Sequence, residues 1–250
     1  MAKLAVQLWS LQEKTAEDFR GTLKRVSEMG YDGVEFAGFG GIEAAEMKKL
    51  LDEYGLEASG AHIRLDELEN NLDEIAEYNK TIGNKYIVCP MVWIESEADC
   101  VNFHKRMCVV AERLKEYGIV MGYHNHEREF KKYNGVYAND IIIGDDGKLI
   151  YEIDVYWTTY AGIDTVEYIK KAGKRCPLVH LKDMQICDDG SKKDTTFGDG
   201  VVEHKKVLSA ALESCCSEWL IIEWEGFGDM DAFDAVERGL NNLKSILKEI

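Results

Sequence analysis

Short apolar runs with strand character alternate with amphipathic stretches of helical periodicity along the whole chain. The predicted strands are Leu4–Leu8, Gly33–Phe36, Ala58–His62, Tyr86–Pro90, Val120–His124, Leu149–Asp154, Leu178–Lys182 and Trp219–Glu223. The predicted helices are Ala16–Met29, Glu43–Tyr54, Glu67–Thr81, Glu97–Tyr117, Thr165–Ala172, Glu203–Cys215 and Asp231–Lys248. Repeated strand–helix units with short connections form a parallel sheet, and about eight of them favour closure into a barrel over an open doubly wound sheet. We therefore predict an α/β fold, a (β/α)₈ TIM barrel with eight parallel strands and an outer layer of helices.

The length of the chain, the absence of a linker and the positions of its glycines favour one barrel domain spanning residues 1–250. The chain has 250 residues, a typical length for such a barrel, and no Pro/Ser-rich linker divides it. Glycines that follow helical stretches predict C-terminal caps at Gly30, Gly55, Gly83 and Gly118. The least regular region is Glu127–Gly147, where we expect an irregular excursion combined with the fifth crossover helix.

Charge and cysteine usage restrict the partners and the compartment. The formal net charge of −16 opposes nucleic-acid binding, which depends on Lys and Arg neutralising phosphates. The N-terminal segment lacks the apolar core of a signal peptide, and no apolar run is long enough to span a bilayer. The seven cysteines form no CxxC pair, and only Cys215 and Cys216 are adjacent, which favours free thiols over a disulfide framework. We expect a cytoplasmic protein without nucleic-acid or membrane partners, and a homo-oligomer remains open.

Four residues of metal-ligand type stand where successive predicted strands end. The runs IVMGYHNH, KLIYEID, PLVHLKD and WLIIEWE supply His124, Asp154, His180 and Glu223. Each residue alone is typical of a hydrogen-bonded structural group, but the C-terminal ends of barrel strands meet at one mouth, so the set predicts a divalent-metal site. Two imidazoles and two carboxylates suit Mn²⁺, the first expectation, and also Zn²⁺, Co²⁺ or Fe²⁺.

Further polar residues are expected at the same mouth. Because side chains alternate along a strand, His126 should share a face with His124, and Lys182 should share one with His180. Lys182 then either polarises a substrate oxygen or forms a salt bridge. Glu35 ends the second strand, either as a hydrogen-bonding partner or as a ligand-orienting or acid/base carboxylate.

The remaining histidines divide between the mouth and the helices. His62 ends the third strand and is therefore expected at the mouth. His104 and His204 lie on predicted helices, and for both we expect solvent-facing structural roles.

Aromatic side chains accompany the strand ends. Tryptophans stand at or just beyond strands one, four, six and eight, at Trp9, Trp93, Trp157 and Trp224. Packing explains any one of them, but together they predict an aromatic-walled pocket that fits the face of a sugar or polyol. The motifs G-x-G-x-x-G, G-x-S-x-G, G-x-x-x-x-G-K-[ST] and H-E-x-x-H are absent, so dinucleotide binding, serine hydrolysis, nucleotide hydrolysis and zincin proteolysis lack support.

Several segments, taken in order, resemble those of a known family. They are GYDGVEFAG, YHNHEREF, DVYWTTYAG, PLVHLKDM, FGDGVVEHKKVL and IIEWE. Together they resemble the sugar phosphate isomerase/epimerase family of xylose isomerase-like TIM barrels, which also contains ketose 3-epimerases, inosose dehydratases and an endonuclease IV branch. That branch is disfavoured because its multi-zinc cluster needs more histidines and its substrate is a polyanion.

The resemblance implies a single divalent metal on His124, Asp154, His180 and Glu223. In ketose epimerases the ligand on strand five is a glutamate that also acts as one of two opposed bases. This chain has His124 at that position, and Glu127 becomes the ligand instead if the alignment slips.

We therefore hypothesise a metal-dependent isomerase or epimerase of a small ketose or keto-polyol, with an enediolate formed by proton abstraction beside the carbonyl. Glu223 is the expected base, and His126 or Glu35 serves the opposite face. Lys182 and His62 would orient substrate oxygens. The alternatives are a lyase or dehydratase of a keto-sugar or inosose, and a non-catalytic sugar-binding barrel.

Overall fold

Eight parallel strands close into a barrel in a computed structural model that describes residues 2–214, 217–226 and 230–250. The strands are β1 (Lys3–Gln7), β2 (Gly33–Phe36), β3 (Glu57–His62), β4 (Tyr86–Cys89), β5 (Val120–His124), β6 (Ile150–Asp154), β7 (Leu178–Leu181) and β8 (Trp219–Ile222). Each strand pairs with its neighbours in chain order, and β1 pairs with β8 to close the barrel. The predicted (β/α)₈ fold is confirmed, and every predicted strand lies within one residue of the observed bounds.

An outer layer of helices surrounds the barrel. The helices are α1 (Gln12–Met29), α2 (Ala44–Tyr54), α3 (Leu65–Ile82), α4 (Glu97–Leu114), α5 (Ala138–Ile143), α6 (Val155–Tyr160), α7 (Thr165–Ala172), α8 (His204–Ser214) and α9 (Ala232–Leu247). The four predicted glycine caps are confirmed, because Gly30, Gly55, Gly83 and Gly118 all have left-handed backbones with φ between 66° and 89°. The predicted end of α8 at Cys215 lies outside the described residues.

Four local elements were not predicted from the sequence. Helix α6 follows β6 directly, and an antiparallel hairpin of Asp183–Ile186 with Lys192–Thr195 follows β7. The irregular region after β5 contains a 3₁₀ helix at Glu127–Phe130 and a second small hairpin before α5. These pieces are short and partly polar, so they show no apolar periodicity for a sequence pattern to detect.

The barrel interior changes from apolar to polar along its axis. Near the N-terminal ends of the strands, apolar side chains from across the barrel pack together as Ala5, Tyr86, Val88, Leu178, Trp219 and Ile221, with Ile150 against them. Side chains of one face recur every second residue. Two residues beyond Ala5, Ile150, Leu178 and Ile221 stand Gln7, Glu152, His180 and Glu223, all buried. The alternation therefore places a polar layer at the C-terminal mouth.

The loop that follows β7 is held by one buried carboxylate, Asp183. It accepts hydrogen bonds from the backbone amides of Met184, Gly198, Gly200 and Val202. His204, the first residue of α8, is buried, and its Nε2 lies 2.8 Å from Asp183 Oδ2. The prediction that His204 faces solvent is wrong, because this carboxylate draws the ring into the interior.

Three further observations concern the helices, the cysteines and His104. Within the described ranges, none of the helices combines the length and apolarity that crossing a bilayer requires. Cys89, Cys100, Cys108 and Cys187 have free thiols, while Cys215 and Cys216 lie outside the described residues. His104 is half-buried on α4, with 22% of its side chain exposed, rather than fully solvent-facing.

Candidate metal centre and substrate cavity

Consecutive strands β5 to β8 bring the four predicted ligands together at the mouth. His124 ends β5, Asp154 ends β6, His180 lies in β7, and Glu223 directly follows β8. One potential ligand atom from each lies within 4.8 Å of those of the other three. All four side chains are buried. Asp154 and His180 are paired in register across β6 and β7, so the backbone itself fixes their proximity.

The donor atoms of this cluster fit a divalent cation. Both ring nitrogens of His124 and Oδ2 of Asp154 are buried, and none has a hydrogen-bond partner among the described residues. Leaving such a polar atom buried and unpaired costs about 1–3 kcal/mol, so the arrangement is costly without a bound partner. Burial, together with His180 and His62, holds the pKa of His124 well below its usual value. The ring is therefore neutral, the form that ligates metals.

A second polar cluster shares His180 with the first. Its members are Glu35, His62, Glu152 and His180, whose potential ligand atoms also lie within 4.8 Å of one another. His62 Nε2 lies 2.6 Å from Glu152 Oε2 and 3.4 Å from Glu35 Oε2. Glu152 was missed by sequence reasoning, although it precedes Asp154 by two residues in KLIYEID and so shares its face. The carboxylates and imidazoles thus alternate around one point of the barrel interior.

His180 connects the two clusters through its two ring nitrogens. Its Nδ1 lies 3.1 Å from Glu223 Oε2, and its Nε2 lies 2.5 Å from Glu35 Oε2. Gln7 donates a hydrogen bond of 2.8 Å to the same Glu35 oxygen. Burial opposes the ionisation of Glu35, but His62 and His180 together hold its pKa below its usual range. Glu35 is therefore an anionic partner on the side of His180 away from Glu223.

A cavity of about 690 Å³ opens above the candidate metal cluster. Its lining includes His62, His124, His126, Glu223 and Glu225. Apolar wall is supplied by side chains that include Trp9, Phe39, Ile63, Pro90 and Met91. This volume and the mixture of apolar wall with a few convergent polar groups are typical of small-molecule sites.

The four predicted tryptophans occupy different places. Trp9 lines the cavity. Trp157 packs against the cavity-lining His126, with the two ring centroids 5.3 Å apart. Trp93 is 71% exposed and borders a neighbouring cavity with Phe103 and Arg106.

Trp224 borders another cavity, beside Ser10 and Lys14. Because Trp224 is adjacent in sequence to the inward-facing Glu223, alternation directs it away from the barrel axis. Of the four predicted tryptophans, the described lining of the cavity therefore contains Trp9, and Phe39 supplies the other aromatic side chain of this wall.

Lys182 forms the salt bridge that was one of its two predicted roles. The side chain is fully buried, pairs with Glu225, and places Nζ 3.3 Å from Asp194 Oδ2 on the hairpin after β7. The rings of Tyr156 and Trp157 lie within about 5 Å of the same ammonium. Glu225 was also missed from the sequence, although it stands two residues after Glu223. Burial and the nearby Glu223 raise the pKa of Glu225.

His124 at the end of β5, and His126 and Glu127 just beyond it, occupy different positions. Glu127, the alternative ligand on strand five, is exposed at the start of a 3₁₀ helix, whereas His124 is in the cluster. His126 lines the cavity, and its ring centroid lies 5.0 Å from that of His124. Burial and His124 lower the pKa of His126 to about 3, so its imidazole is neutral.

A comparison with protein families finds one match over most of the chain. The family described as the xylose isomerase-like TIM barrel matches residues 23–246. No curated protein sequence matches the chain significantly.

Solved structures show the same architecture over almost the full length of the chain. A sugar phosphate isomerase/epimerase from Parabacteroides distasonis is 25% identical, with a TM-score of 0.78 over 98% of this chain and 94% of that chain. The IOLI protein with a bound zinc atom is 14% identical, with a TM-score of 0.78 over 99% and 98%. A D-allulose 3-epimerase from Methylomonas sp. is 15% identical, with a TM-score of 0.73 over 98% of both chains. At the two lower identities the likeness concerns the fold alone.

Proposed function

Since this chain belongs to the xylose isomerase-like TIM barrel family, we propose that it is a metal-dependent isomerase or epimerase of a small ketose or keto-polyol. One observation carries the proposal. His124 and Asp154 have buried donor atoms without a hydrogen-bond partner among the described residues, and these atoms lie close to His180 and Glu223 below a cavity of small-molecule size. The sugar phosphate isomerase/epimerase that is 25% identical to this chain supports the same class of reaction.

The metal ligands we propose are His124, Asp154, His180 and Glu223. When bound, a divalent cation here would act as a Lewis acid that polarises a substrate carbonyl and lowers the pKa of the adjacent C–H. Mn²⁺ remains our first candidate, with Zn²⁺, Co²⁺ and Fe²⁺ as alternatives, because the mixed nitrogen and oxygen donors suit all four.

Proton transfer is assigned to groups that reach the cavity. Glu223 lines the cavity, and the nearby His180 and Lys182 outweigh burial and hold its pKa well below its usual range, so it is an ionised base. His126 lines the same cavity as a neutral imidazole and is our candidate for the opposite face of the substrate. An epimerase requires two such groups, because a proton removed from one face must be returned to the other.

Glu35 and Lys182 act on other residues rather than on the substrate. Glu35 is fully buried and contacts His180, so we assign it to orienting that imidazole instead of abstracting a proton. Lys182 is occupied by Glu225 and Asp194 and thereby orients the cavity-lining Glu225. His62 lines the cavity and keeps its proposed role of orienting a substrate oxygen.

An unphosphorylated substrate fits the charges around the cavity. The carboxylates Glu67, Glu223 and Glu225 line it, and Arg64 is the cationic residue of the described lining. Arg64 is paired with Asp66, with Nε 3.1 Å from Oδ1. A phosphate dianion would therefore meet more negative than positive charge at this mouth. Trp9 and Phe39 instead offer apolar surface to the C–H face of a sugar ring.

The reaction can be tested by ¹H NMR in deuterated water. Protein loaded with Mn²⁺ or Zn²⁺ is incubated with a panel of ketoses, keto-sugars and inososes, beside Glu223→Gln as the matched inactive variant. We expect deuterium to enter one substrate at the carbon beside the carbonyl and a stereoisomer or isomer to accumulate. Turnover of a sugar without such exchange would contradict the proton-abstraction mechanism.

A lyase or dehydratase on the same site is the second candidate, and the histidine on strand five favours it. Ketose epimerases use a glutamate there, so replacement by His124 removes one of their two opposed carboxylates. The same NMR experiment separates the two, because a lyase produces an unsaturated or cleaved product. A sugar-binding barrel without turnover is the remaining alternative, and absence of stoichiometric metal with unchanged thermal stability on adding Mn²⁺ or Zn²⁺ would favour it.

A further inference from the structure

We propose that His104, Cys108 and Asp146 form a separate divalent-metal site, of a composition suited to Zn²⁺, on the outside of the barrel. His104 and Cys108 are four residues apart on α4 and therefore share one face of that helix. Asp146 lies between α5 and β6, four residues before β6 begins. The site is consequently near the N-terminal ends of the strands, away from the mouth, and it does not depend on the function proposed above.

The three potential ligand atoms have the separations of a tetrahedral zinc site with one open position. Cys108 Sγ lies 3.6 Å from His104 Nε2 and 3.7 Å from Asp146 Oδ2, and His104 Nε2 lies 3.7 Å from the same oxygen. Zinc bond lengths of about 2.0–2.3 Å at tetrahedral angles require donor–donor separations of about 3.3–3.8 Å. Sγ is also 3.8 Å from Nδ1, so a small rotation of the ring would direct Nε2 at the ion.

The backbone fixes the tautomer that a metal needs. His104 Nδ1 lies 3.0 Å from the carbonyl oxygen of Ile142, which can only accept, so Nδ1 carries the proton. In the neutral ring, Nε2 therefore carries the lone pair, and it is the ring nitrogen nearer to the Cys108 sulfur. Metal-ligating histidines usually donate their second N–H to a carbonyl or carboxylate in this way.

The positions of Asp146 and Gly144 also fit a metal site beside His104. Asp146 Oδ1 accepts the backbone N–H of Lys148 at 3.2 Å, which leaves Oδ2 directed at the histidine and the thiol. The Lys148 ammonium lies 3.9 Å from Oδ2, a weak and partly exposed ion pair that a metal would replace. Gly144 makes room for the ring, because a Cβ built there would lie 2.3 Å from His104 Cε1.

A thiol–imidazole–carboxylate relay is a poorer interpretation of the same residues. A relay places the nucleophile and the carboxylate at opposite ring nitrogens. Here the nitrogen nearest to both is Nε2, since Nδ1 is engaged by Ile142. Without a metal, the Cys108 thiol has one proton to donate to two neighbouring acceptors, His104 Nε2 and Asp146 Oδ2. A cation resolves this conflict, because all three atoms then act as donors of lone pairs.

Titration with Co²⁺ tests the site, because a thiolate ligand gives an intense near-ultraviolet charge-transfer absorption and the ligands proposed at the mouth include no thiolate. We expect this absorption in the wild type and its loss in Cys108→Ser. It should persist in Cys100→Ser, which changes another buried cysteine of α4 as a matched control. Circular dichroism of the metal-free variants checks that each is folded.

Affinity and activity give further readouts. On a His124→Leu background, which removes a ligand of the candidate site at the mouth, His104→Ala and Asp146→Asn should each weaken Zn²⁺ binding by at least about 10-fold in competition with a chromophoric chelator, because each removes a ligand. Turnover at the mouth should be unchanged in Cys108→Ser. Absence of the charge-transfer absorption in the wild type, or its persistence in Cys108→Ser, would overturn the proposal, as would unchanged Zn²⁺ affinity in His104→Ala.

Discussion

Glu35 Oε2 lies 2.5 Å from Nε2 of His180, although 145 residues separate the two in the chain. The contact crosses the barrel interior from β2 to β7 and leaves the other ring nitrogen of His180 facing Glu223 at 3.1 Å. A carboxylate behind a ligating imidazole fixes its tautomer and raises its basicity. This relationship connects the candidate metal centre to β2, a strand that supplies none of its four proposed ligands.

Glu35→Gln should weaken binding of Mn²⁺ or Zn²⁺ at the mouth by about 10–100-fold, the usual effect of removing a carboxylate behind a ligating histidine. Affinity is measured by chelator competition, on a Cys108→Ser background so that one class of site is observed. Glu57→Gln is the control, since Glu57 forms an exposed pair with Lys3. Equal affinities in Glu35→Gln and the control would show that Glu35 does not position His180.

His124→Leu should abolish metal binding at the mouth while stabilising the metal-free protein by about 1–3 kcal/mol. The reason is that both ring nitrogens of His124 are buried without a hydrogen-bond partner among the described residues. Urea unfolding in the presence of chelator measures the free energy.

His204→Leu is the contrasting variant, because that ring is paired with Asp183 at 2.8 Å and its loss should destabilise. On a Cys108→Ser background, which removes the proposed second metal site, adding metal should raise the melting temperature of the protein with His124 intact but not that of His124→Leu. A metal-free His124→Leu less stable than the wild type would contradict the view that His124 is strained without a ligand.

Asp183→Asn should destabilise the protein by about 3–5 kcal/mol at neutral pH, because it leaves His204 and several loop amides without their anionic partner. Asp189→Asn, in an exposed turn, is the control. Urea unfolding provides the measurement.

The same variant has a defined pH dependence. Burial opposes ionisation of Asp183, but His204 and the backbone amides lower its pKa below the usual value. A lowered pKa contributes stability above the unfolded-state value of about 3.9, and that contribution is lost as the pH falls through the folded-state pKa. The difference between wild type and Asp183→Asn should therefore shrink below about pH 4. A difference that stays constant through this range would contradict the assignment.

Trp9→Ala should raise KM for the substrate by about 10-fold, equivalent to about 1.4 kcal/mol, because it removes aromatic wall from the cavity. Trp93→Ala is the matched variant, and we expect little change in KM since Trp93 is 71% exposed and borders a different cavity. Steady-state kinetics on the substrate identified by NMR decides between them. The reverse order of effects would place the sugar against Trp93.

Much of the site was accessible from local sequence. The strand runs predicted His124, Asp154, His180 and Glu223 at one mouth, because alternation and strand ends are local properties. The same alternation, applied two residues before Asp154 and two residues after Glu223, also places Glu152 and Glu225 on this face. Applied to Trp224, the same alternation directs the side chain away from the barrel axis, whereas it gives no direction for Trp93, which lies four residues beyond the end of β4.

The sequence by itself determined the order of the eight strands and their helices, the glycine caps and the residue types at the strand ends. These features depend on periodicity and turn chemistry, which involve residues close together in the chain. Only the tertiary structure decided that Glu35 contacts His180, that Asp183 draws His204 inward, and that Lys182 is occupied by Glu225. These contacts depend on closure of the barrel, on strand register and on long loops that fold back over the mouth. Local spacing does not encode those distances, since they arise when segments far apart in the chain bury their charges against one another.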